Sequence, residues 1–363
     1  MSSIKELYGL NDNPFRMTPS SNPQELIWAG FGDIKEKIAK RIKKSVQMQN
    51  SSLVLNWGEY GSGKTHAAKY FQKKDVLQEI AGESASPFTM LLDFPKGKNP
   101  VQELYIQIID KLDITGLRNK LNVVEEKISL TAGGNVLIES VLKYIFDADI
   151  TIEDVKTYLY GNASISTALI GKGIQRKLSA DGDYIDILAA LFTLIAYNKE
   201  AYSCTILWID EFEDITIQNT ANIIKLNNLI RGLMDKAPNN LLIFMNLTQS
   251  AMMDVEDLGE YLQSAVYSRI RDRIELPSPS KETLKEYIRE LINNKLFREA
   301  DEGYAPFEET TIDKVIEDLG KDVSLRRYNE AFSILLEDAA FDEKQSITVD
   351  YYNNVKDEVI GWK

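Results

Sequence analysis

Residues 52–65 read SLVLNWGEYGSGKT, so an apolar run passes directly into a glycine-rich turn. The run, Ser52–Trp57, has the length and composition of a short buried strand, and a helical stretch from Thr65 to about Lys74 follows the turn. The turn, Gly58–Thr65, matches in full the phosphate-binding pattern GxxxxGK followed by Ser or Thr. Because a strand precedes the match and a helix follows it, the sequence favours a phosphate loop over a chance glycine-rich turn.

The residue types in this loop predict how it holds a nucleotide. Glycines allow the backbone to fold into a nest whose N–H groups face inward, and the nest and the helix N-terminus together form an anion site. Lys64 is expected to reach the β- and γ-phosphates of ATP, and the hydroxyl of Thr65 is expected to ligate Mg²⁺. The predicted nucleotide-binding residues are Gly58, Glu59, Tyr60, Gly61, Ser62, Gly63, Lys64, Thr65 and His66.

A second apolar run, Ile206–Ile209, ends in the adjacent carboxylates Asp210 and Glu211. At the tip of a strand Asp210 can hold hydrated Mg²⁺, and Glu211 can polarise a water for attack on the γ-phosphate. An acidic pair could also mark the start of a helix, but its combination with the glycine loop makes it specific. The pair favours an ATPase with a carboxylate base over a small-molecule kinase or a Ras-like GTPase.

Polar residues also follow the apolar run Leu241–Met245. Asn246 and Thr248 are two residues apart and therefore face the same way if the strand continues. Either side chain could sense the γ-phosphate or position the attacking water. The alternative is a polar strand end that makes turn hydrogen bonds.

Composition and charge exclude several classes of protein. The chain has 363 residues, 44% of them hydrophobic, which indicates a folded chain of two or three domains and excludes a disordered or collagen-like one. Its 42 Lys and Arg against 55 Asp and Glu give a net charge of −13. This excludes a generally basic nucleic-acid coat but leaves room for a local basic stripe. Cys204 and His66 are single residues of their types, which excludes an intramolecular disulfide and a Cys/His zinc cluster.

Hydropathy and the N-terminus predict a cytoplasmic protein with no membrane partner. No stretch of the sequence approaches the roughly 18 consecutive apolar residues that a transmembrane helix needs. The first ten residues, MSSIKELYGL, lack the basic and apolar segments of a signal peptide.

Strands that alternate with helices predict an α/β fold with a mainly parallel, five-stranded sheet covered on both faces. The expected strands are 52–57, 88–93, 204–209, 241–245 and 274–276, and the expected helices include 101–112 and 217–234. We expect a lead-in over 1–30, a nucleotide-binding core over 31–276 with a helical insertion at about 115–200, and a helical domain over 277–363.

A basic helix is predicted to begin at Gly32 and Asp33. Its apolar stripe recurs every four residues, at Ile34, Ile38, Ile42 and Val46, and the residues between are mostly Lys and Arg. The simpler interpretation of this basic surface is a solvated face around a core stripe. The alternative is a face that contacts phosphates.

In chain order, the glycine loop, the Asp-Glu strand, the polar strand end, Ser268–Ile270 and Leu325–Arg327 resemble the motifs of an AAA+ ATPase. The resemblance covers about residues 5–342 and implies an AAA+ (ASCE P-loop) core, a helical insertion and a C-terminal helical lid. Within the superfamily the chain resembles the branch of origin-recognition initiators, ExeA-like ATPases and the transposition regulator TnsC. The segments similar to that branch are Tyr8–Leu10, Asn13–Phe15 and Leu92–Phe94 before Pro100.

The glycine loop through His66, and the segment Tyr158–Ile215, are also similar to ATPases of bacterial antiphage systems of the BREX type. This second similarity implies a role in antiphage defence.

The AAA+ resemblance implies further site residues. Arg269 matches the arginine finger, which stabilises charge on the phosphoryl group in a neighbouring subunit. Arg271 and Arg273 are near enough in sequence to compete for that role. Arg326 matches the nucleotide-sensing arginine of the lid, with Arg327 as its substitute, and Thr248 fits the sensor position of the branch better than Asn246 does.

The sequence departs from the family in two ways. Many members place an Asn at the end of the second strand, where it restrains the catalytic Glu, and this sequence has Asp93 there. A carboxylate cannot donate an amide hydrogen bond and would repel Glu211 unless one of the two is protonated. The sequence also ends at Lys363, soon after the lid, where origin-recognition proteins usually continue into a winged-helix DNA reader.

The resemblance implies an ATPase that self-associates into a ring or filament and regulates a mobile-element or antiphage system, with duplex DNA and a nuclease- or transposase-type protein as partners. One alternative is a nucleotide-switched scaffold that recruits a protein effector without DNA. Another is a relative of replication initiators or loaders.

Overall fold

The computed structural model describes residues 3–121, 123–249, 254–320 and 323–361. The chain divides into two compact units, each made of several chain segments. The first unit comprises residues 1–37, 57–73 and 275–363, and the second comprises residues 38–56 and 74–274.

A five-stranded parallel sheet forms the centre of the second unit, as the alternation of strands and helices predicts. Its strands, in the spatial order β2-β3-β4-β1-β5, are β1 (Ser52–Gly58), β2 (Phe88–Asp93), β3 (Thr205–Asp210), β4 (Leu241–Thr248) and β5 (Ile270–Glu275). Strand β3 lies between β2 and β4 and is buried along its whole length. A strand in that position is covered on both faces, which explains its unbroken apolar run.

Helices occupy most of the remaining described chain. From the N-terminus to the end of the insertion they are α1 (Ile4–Tyr8), α2 (Gly32–Gln47), α3 (Lys64–Tyr70), α4 (Lys74–Ala81), α5 (Pro100–Lys111), α6 (Ile114–Lys120), α7 (Glu125–Ala132), α8 (Val136–Phe146), α9 (Ile152–Leu159), α10 (Thr167–Gly171) and α11 (Asp181–Ile195). They continue with α12 (Thr220–Lys236), α13 (Leu258–Tyr261), α14 (Ser264–Tyr267), α15 (Lys281–Ile292), α16 (Glu309–Leu319), α17 (Leu325–Phe341) and α18 (Val349–Ile360). Short 3₁₀ helices cover Pro23–Glu25, Tyr197–Lys199 and Phe212–Ile217.

The insertion of the second unit is helical, as expected, and its helices α6–α11 lie between β2 and β3 in sequence. Helix α11 is its most buried element, because ten of its 15 side chains are buried. It contacts α5, α7, α8 and α12. The nearly continuous apolar sequence of α11 is therefore explained by helices that cover it on several sides.

The first unit contains the C-terminal helical lid, whose helices α15–α18 share one apolar core. Tyr8, Leu10 and Phe15 from the N-terminal segment belong to the same core. The ring of Phe15 lies 5.4 Å from that of Phe332, centroid to centroid, and Asn13 Nδ2 donates to Ser333 Oγ at 2.8 Å. The residues before α2 are therefore held by the lid helices.

Several element boundaries differ from expectation, and three of them are informative. The helix predicted over 65–74 ends at Tyr70, and α4 starts separately at Lys74. The helix predicted from 217 begins at Thr220, because the side chain of Asn219 caps it by accepting a hydrogen bond from the Asn222 backbone N–H at 2.9 Å. Strand β5 begins at Ile270, four residues before the predicted start. The exposed charged residues of β5, which are typical of edge strands, interrupt the apolar run from which a strand is predicted.

Candidate functional site

The phosphate loop of the first unit has the backbone conformation that its glycines predict. Gly61 and Gly63 have φ values of 76° and 99°, in the left-handed region that disfavours a side chain. A Cβ atom on Gly58 would lie 2.4 Å from the Leu276 carbonyl oxygen, and one on Gly61 would lie 2.9 Å from Ser324 Oγ. Glycine is therefore required at Gly61 by backbone angle and by space, and at Gly58 by space alone.

Lys64 begins helix α3 and is buried, as are its aliphatic neighbours in that helix. Its ammonium donates to the carbonyl oxygens of Gly58 and Glu59, each at 2.8 Å, and to Ser62 Oγ at 3.2 Å. The lysine thus lies across the loop that is predicted to hold the phosphates. Thr65 is the second residue of the same helix.

The lid arginine lies against the phosphate loop within the first unit. The guanidinium carbon of Arg326 is 4.6 Å from the centroid of the Tyr60 ring, and Arg326 Nη1 donates a hydrogen bond to the Tyr60 hydroxyl. Ser324, two residues earlier, caps helix α17 by accepting from the backbone N–H of Arg327. Tyr60 itself is largely exposed. Arg326 is thus beside the loop, and its partner there is the aromatic ring of Tyr60.

Two further predicted nucleotide-binding residues have contacts in the first unit. His66 Nε2–H donates to the Ile27 carbonyl oxygen at 2.7 Å, and burial lowers the pKa of this histidine. The imidazole is therefore neutral with its proton on Nε2. Glu59 accepts a hydrogen bond from Ser278 Oγ at 3.1 Å, which places the loop carboxylate beside the start of the lid.

In the second unit, a line of buried polar side chains crosses three strands. Asn56 on β1 donates through Nδ2 to Asn246 Oδ1 at 3.2 Å, and Asn246 on β4 donates through Nδ2 to Asp210 Oδ1 at 3.0 Å. All three side chains are buried. Since buried polar groups retain their positions through such bonds, the carboxylate at the end of β3 is oriented by the amide of Asn246.

Thr248, the other predicted sensor, has a different environment. It is the last residue of β4 and is half-buried, and its backbone N–H donates to Glu213 Oε2 at 2.8 Å. The structure thus brings Asn246 to Asp210, while the backbone of Thr248 contacts the segment after Glu211. This arrangement favours Asn246 as the sensing residue, although the resemblance pointed to Thr248.

Glu211 has an unusual backbone conformation. Its φ of 57° and ψ of 39° lie in the left-handed region, which costs a residue with a side chain about 1 kcal/mol or more. Its carboxylate Oε2 is 2.7 Å from Lys96 Nζ, which is also 2.6 Å from Asp214 Oδ2. Hydrogen bonds from the ammonium, first to Asp214 and then to Glu211, raise the pKa of Lys96 above its usual value.

Sequence reasoning did not identify Lys96. It lies in the loop after β2, three residues beyond Asp93, and no pattern in the sequence relates it to Glu211. Asp93 occupies the strand end where the family often has Asn, in register with Asp210, and its backbone exchanges hydrogen bonds with the Gln107 side chain at 3.0 and 3.1 Å. Asp93 was expected to repel Glu211. The structure places the positive charge of Lys96 against Glu211, and the sequence did not reveal this contact.

The three candidate finger arginines differ in their environments. Arg269 directly precedes β5, and its guanidinium pairs with Asp235 and donates to the Ala265 carbonyl oxygen at 2.5 Å. Arg271 and Arg273 lie on the exposed positions of β5, and Arg273 donates to the Tyr267 hydroxyl at 2.7 Å. Arg269 is thus paired with a carboxylate of its own chain, whereas Arg273 contacts an aromatic residue and Arg271 projects from an edge strand.

Neither a membrane helix nor an amino-acid metal cluster is found in the described ranges. No helix there is both long and apolar enough to cross a bilayer. No group of three or more His, Cys, Asp or Glu residues among the described residues is arranged to hold a metal ion.

No protein-family model matches the sequence, and no curated protein matches it either. Solved structures match at low identity. The ORC2 protein of Aeropyrum pernix, in its ADPNP and ADP complexes, has a TM-score of 0.57 and 17% identity over 97% of this chain and 73% of that one. The Walker-type ATPase PABY2304 of Pyrococcus abyssi has a TM-score of 0.52 and 14% identity over 96% and 77%.

A chain of Drosophila ORC bound to DNA has a TM-score of 0.51 and 15% identity, and the match covers 95% of this chain but only 62% of that one. At these identities the likeness is one of fold. The shared fold, a five-stranded parallel sheet with many helices, is of the AAA+ class.

Proposed function

We propose that this chain binds ATP with Mg²⁺ and hydrolyses it to ADP and phosphate as an AAA+ ATPase. The observation that carries the proposal is the phosphate loop, in which the glycine conformations and the Lys64 contacts form a cradle that side chains would fill. The AAA+ fold supports it independently, because that fold is built around such a loop. On this proposal Gly58–His66 hold the nucleotide and Arg326 senses it from the lid.

The residues present suit Mg²⁺. A hydroxyl at Thr65 and a carboxylate at Asp210 are hard oxygen ligands, and Mg²⁺ is usually held by one or two such groups together with phosphate oxygens and water. When bound, the ion would neutralise charge on the phosphates.

Glu211 is the proposed general base, and Asn246 the proposed sensor. A base must accept a proton from the attacking water within hydrogen-bond reach, and Glu211 lies one residue beyond Asp210 at the end of β3. Asn246 orients Asp210 by its 3.0 Å hydrogen bond. Thr248 remains a second candidate for the sensor, at the end of the same strand.

Two variants test the ATPase assignment. Lys64→Ala should lose tight ATP binding in calorimetry, because the loop N–H groups alone do not replace the ammonium that faces the β- and γ-phosphates. Glu211→Gln should bind ATP normally and hydrolyse it at least about 10²-fold more slowly, since an amide cannot act as a base. Unchanged ATP affinity in the first variant, or near-normal turnover in the second, would contradict the respective assignment.

We further propose that ATP drives self-association into a ring or filament on duplex DNA, in the regulation of a mobile element or an antiphage system. Lys37, Lys40, Lys43 and Lys44 support DNA contact: all four are exposed on α2, and no described carboxylate forms an ion pair with them. Lys37, Lys40 and Lys44 are spaced by three and four residues and therefore share one face of the helix. Charge reversal of these three lysines should weaken DNA binding and flatten its salt dependence.

A scaffold that recruits a protein effector without DNA is the second candidate. It is favoured by the exposed apolar side chains of the insertion, Leu130 at 61% and Val136 at 74% exposure. Contiguous exposed apolar side chains are typical of protein contacts, and these two lie on the packed helices α7 and α8. ATP-driven assembly with no DNA affinity at low salt would favour the scaffold, and ATP-dependent, salt-sensitive DNA binding would favour the regulator. A helicase partner would favour a relative of replication loaders.

A further inference from the structure

Lys96 forms an ion pair with the proposed catalytic base. Its ammonium lies 2.7 Å from Glu211 Oε2 and 2.6 Å from Asp214 Oδ2, so it bridges two carboxylates on the segment after β3. The side chains of Lys96 and Glu211 are 49% and 55% exposed. A pair with this exposure is weak and can open without a large cost.

The loop that carries Lys96 is positioned independently of this ion pair. The carboxylate of Glu103 on α5 accepts hydrogen bonds from the backbone N–H groups of Lys96, at 3.3 Å, and Gly97, at 2.6 Å. Gln218 Nε2 donates to the Pro95 carbonyl oxygen at 3.2 Å. Because bonds on both sides hold the backbone, Lys96 stays within reach of Glu211 when the ion pair opens.

The backbone of Glu211 is also constrained. Its left-handed conformation is costly for a residue with a side chain, and such conformations persist where the surroundings determine them. Asp214 and Glu213 follow on the same 3₁₀ helix, and Glu213 is bonded to the backbone of Thr248. Across the sheet edge, Asp93 lies in register with Asp210. Lys96 is thus the cation that contacts Glu211 within a group of carboxylates.

We propose that Lys96 is a positioning residue that restrains ATP hydrolysis by holding the Glu211 carboxylate in an ion pair until the pair opens. An ammonium bonded to Oε2 fixes the orientation of the carboxylate, so Glu211 cannot turn towards an attacking water while the pair is closed. The restraint rests on the proposed ATPase function, and it is reversible because both side chains are half exposed. Asp214 offers the ammonium an alternative partner when Glu211 leaves.

Three variants test the restraint at a protein concentration that saturates assembly. Lys96→Met removes the charge with little change in length, and kcat should rise about two- to fivefold, the scale of an exposed ion pair. The KM and the ATP affinity should not change. Lys96→Arg keeps the charge and should return kcat to the wild-type value. Asp214→Asn removes the competing partner while leaving the Lys96–Glu211 pair, so its kcat should equal the wild-type value or fall below it.

A Lys96→Met kcat that is unchanged or reduced would overturn the proposal, as would a Lys96→Arg variant that behaves like Lys96→Met, or an Asp214→Asn variant with raised kcat. Glu211→Gln, made alone and with Lys96→Met, separates this proposal from the ATPase function. If Glu211→Gln is inactive in both backgrounds while Lys96→Met equals wild type, only the restraint fails. If Glu211→Gln alone hydrolyses ATP normally, the assignment of the base fails and the restraint fails with it.

Discussion

Asn246 is hydrogen-bonded to Asp210, the carboxylate that ends β3 and is the proposed Mg²⁺ ligand. Its amide donates to Asp210 and accepts from Asn56, and all three side chains are buried. Removal of the Asn246 side chain takes one hydrogen-bond partner from each of two buried polar groups. The hydrogen bond of Thr248 is made by its backbone N–H and does not depend on its side chain. Loss of the Asn246 side chain should therefore destabilise the protein more than loss of the Thr248 side chain.

We predict that Asn246→Ala lowers the free energy of unfolding by about 1–3 kcal/mol, because Asn56 and Asp210 each lose a buried hydrogen-bond partner. It should also slow ATP hydrolysis more than it weakens ATP binding. Thr248→Ala is the matched control on the same strand and should change stability by only about 0.5 kcal/mol. Denaturant unfolding and steady-state hydrolysis measure the two effects. Equal losses of unfolding free energy and hydrolysis rate in the two variants would contradict the assignment of Asn246 as the sensor.

Among secondary-structure elements, those with a strong apolar pattern were predicted and those defined by polar contacts were not. Strands β1 and β2 begin where their apolar runs predict, since burial fixes both pattern and position. Strand β5 was predicted too short because Arg271, Asp272 and Arg273 interrupt its apolar pattern. The phosphate-loop motif was recognisable from the spacing of its residues alone. The Lys96–Glu211 pair was not, because it joins residues 115 positions apart and neither neighbouring sequence indicates the contact.

The contact between the phosphate loop and helix α17 leads to a prediction about nucleotide affinity. If Arg326 must leave the Tyr60 ring to contact a phosphate, then Tyr60→Ala should bind ATP up to about fivefold more tightly, since an exposed cation–π pair contributes about 0.5–1 kcal/mol. Tyr60→Phe keeps the ring and should show a smaller gain. Calorimetry of both variants, repeated with Arg326→Ala, isolates the pair. A gain that persists without Arg326 would mean that Tyr60 acts on the nucleotide directly.

The N-terminus of α11 carries a pH-sensitive ion pair. Arg176 donates two hydrogen bonds of 2.7 Å to Asp183, and they lower the pKa of this carboxyl to about 2. Because the folded pKa lies below the unfolded value of about 3.9, the stabilisation is present at neutral pH and is lost as pH falls from about 4 towards 2.

With allowance for the exposure of Arg176, wild type should exceed Asp183→Asn by about 1–2 kcal/mol in unfolding free energy at pH 7. The difference should shrink at pH 3, where the wild-type carboxyl begins to be protonated in the unfolded chain. Urea titrations at pH 7, 5 and 3 measure it, and Arg176→Gln should show the same trend. A difference that is constant across these pH values would assign the stabilisation to packing.

At the scale of the whole molecule, the proposed catalysis depends on a second copy of the chain. Arg269, the residue that resembles the arginine finger, is held within its own chain by Asp235 and Ala265. To act as a finger it would have to exchange Asp235 for a phosphate held by a neighbouring subunit. We therefore expect specific activity to rise with protein concentration until assembly saturates.

Arg269→Ala should bind ATP normally and hydrolyse it about 10³-fold more slowly, the scale of other arginine fingers. The decisive test mixes Arg269→Ala with Lys64→Ala, two variants that are each inactive alone. A mixed interface pairs the intact finger of one chain with the intact phosphate loop of the other, so part of the activity should return. If mixed oligomers form and stay inactive, Arg269 does not act in trans. The same mixing with Arg271→Ala and Arg273→Ala then tests the two exposed arginines of β5, which have no comparable tie to Asp235 to break.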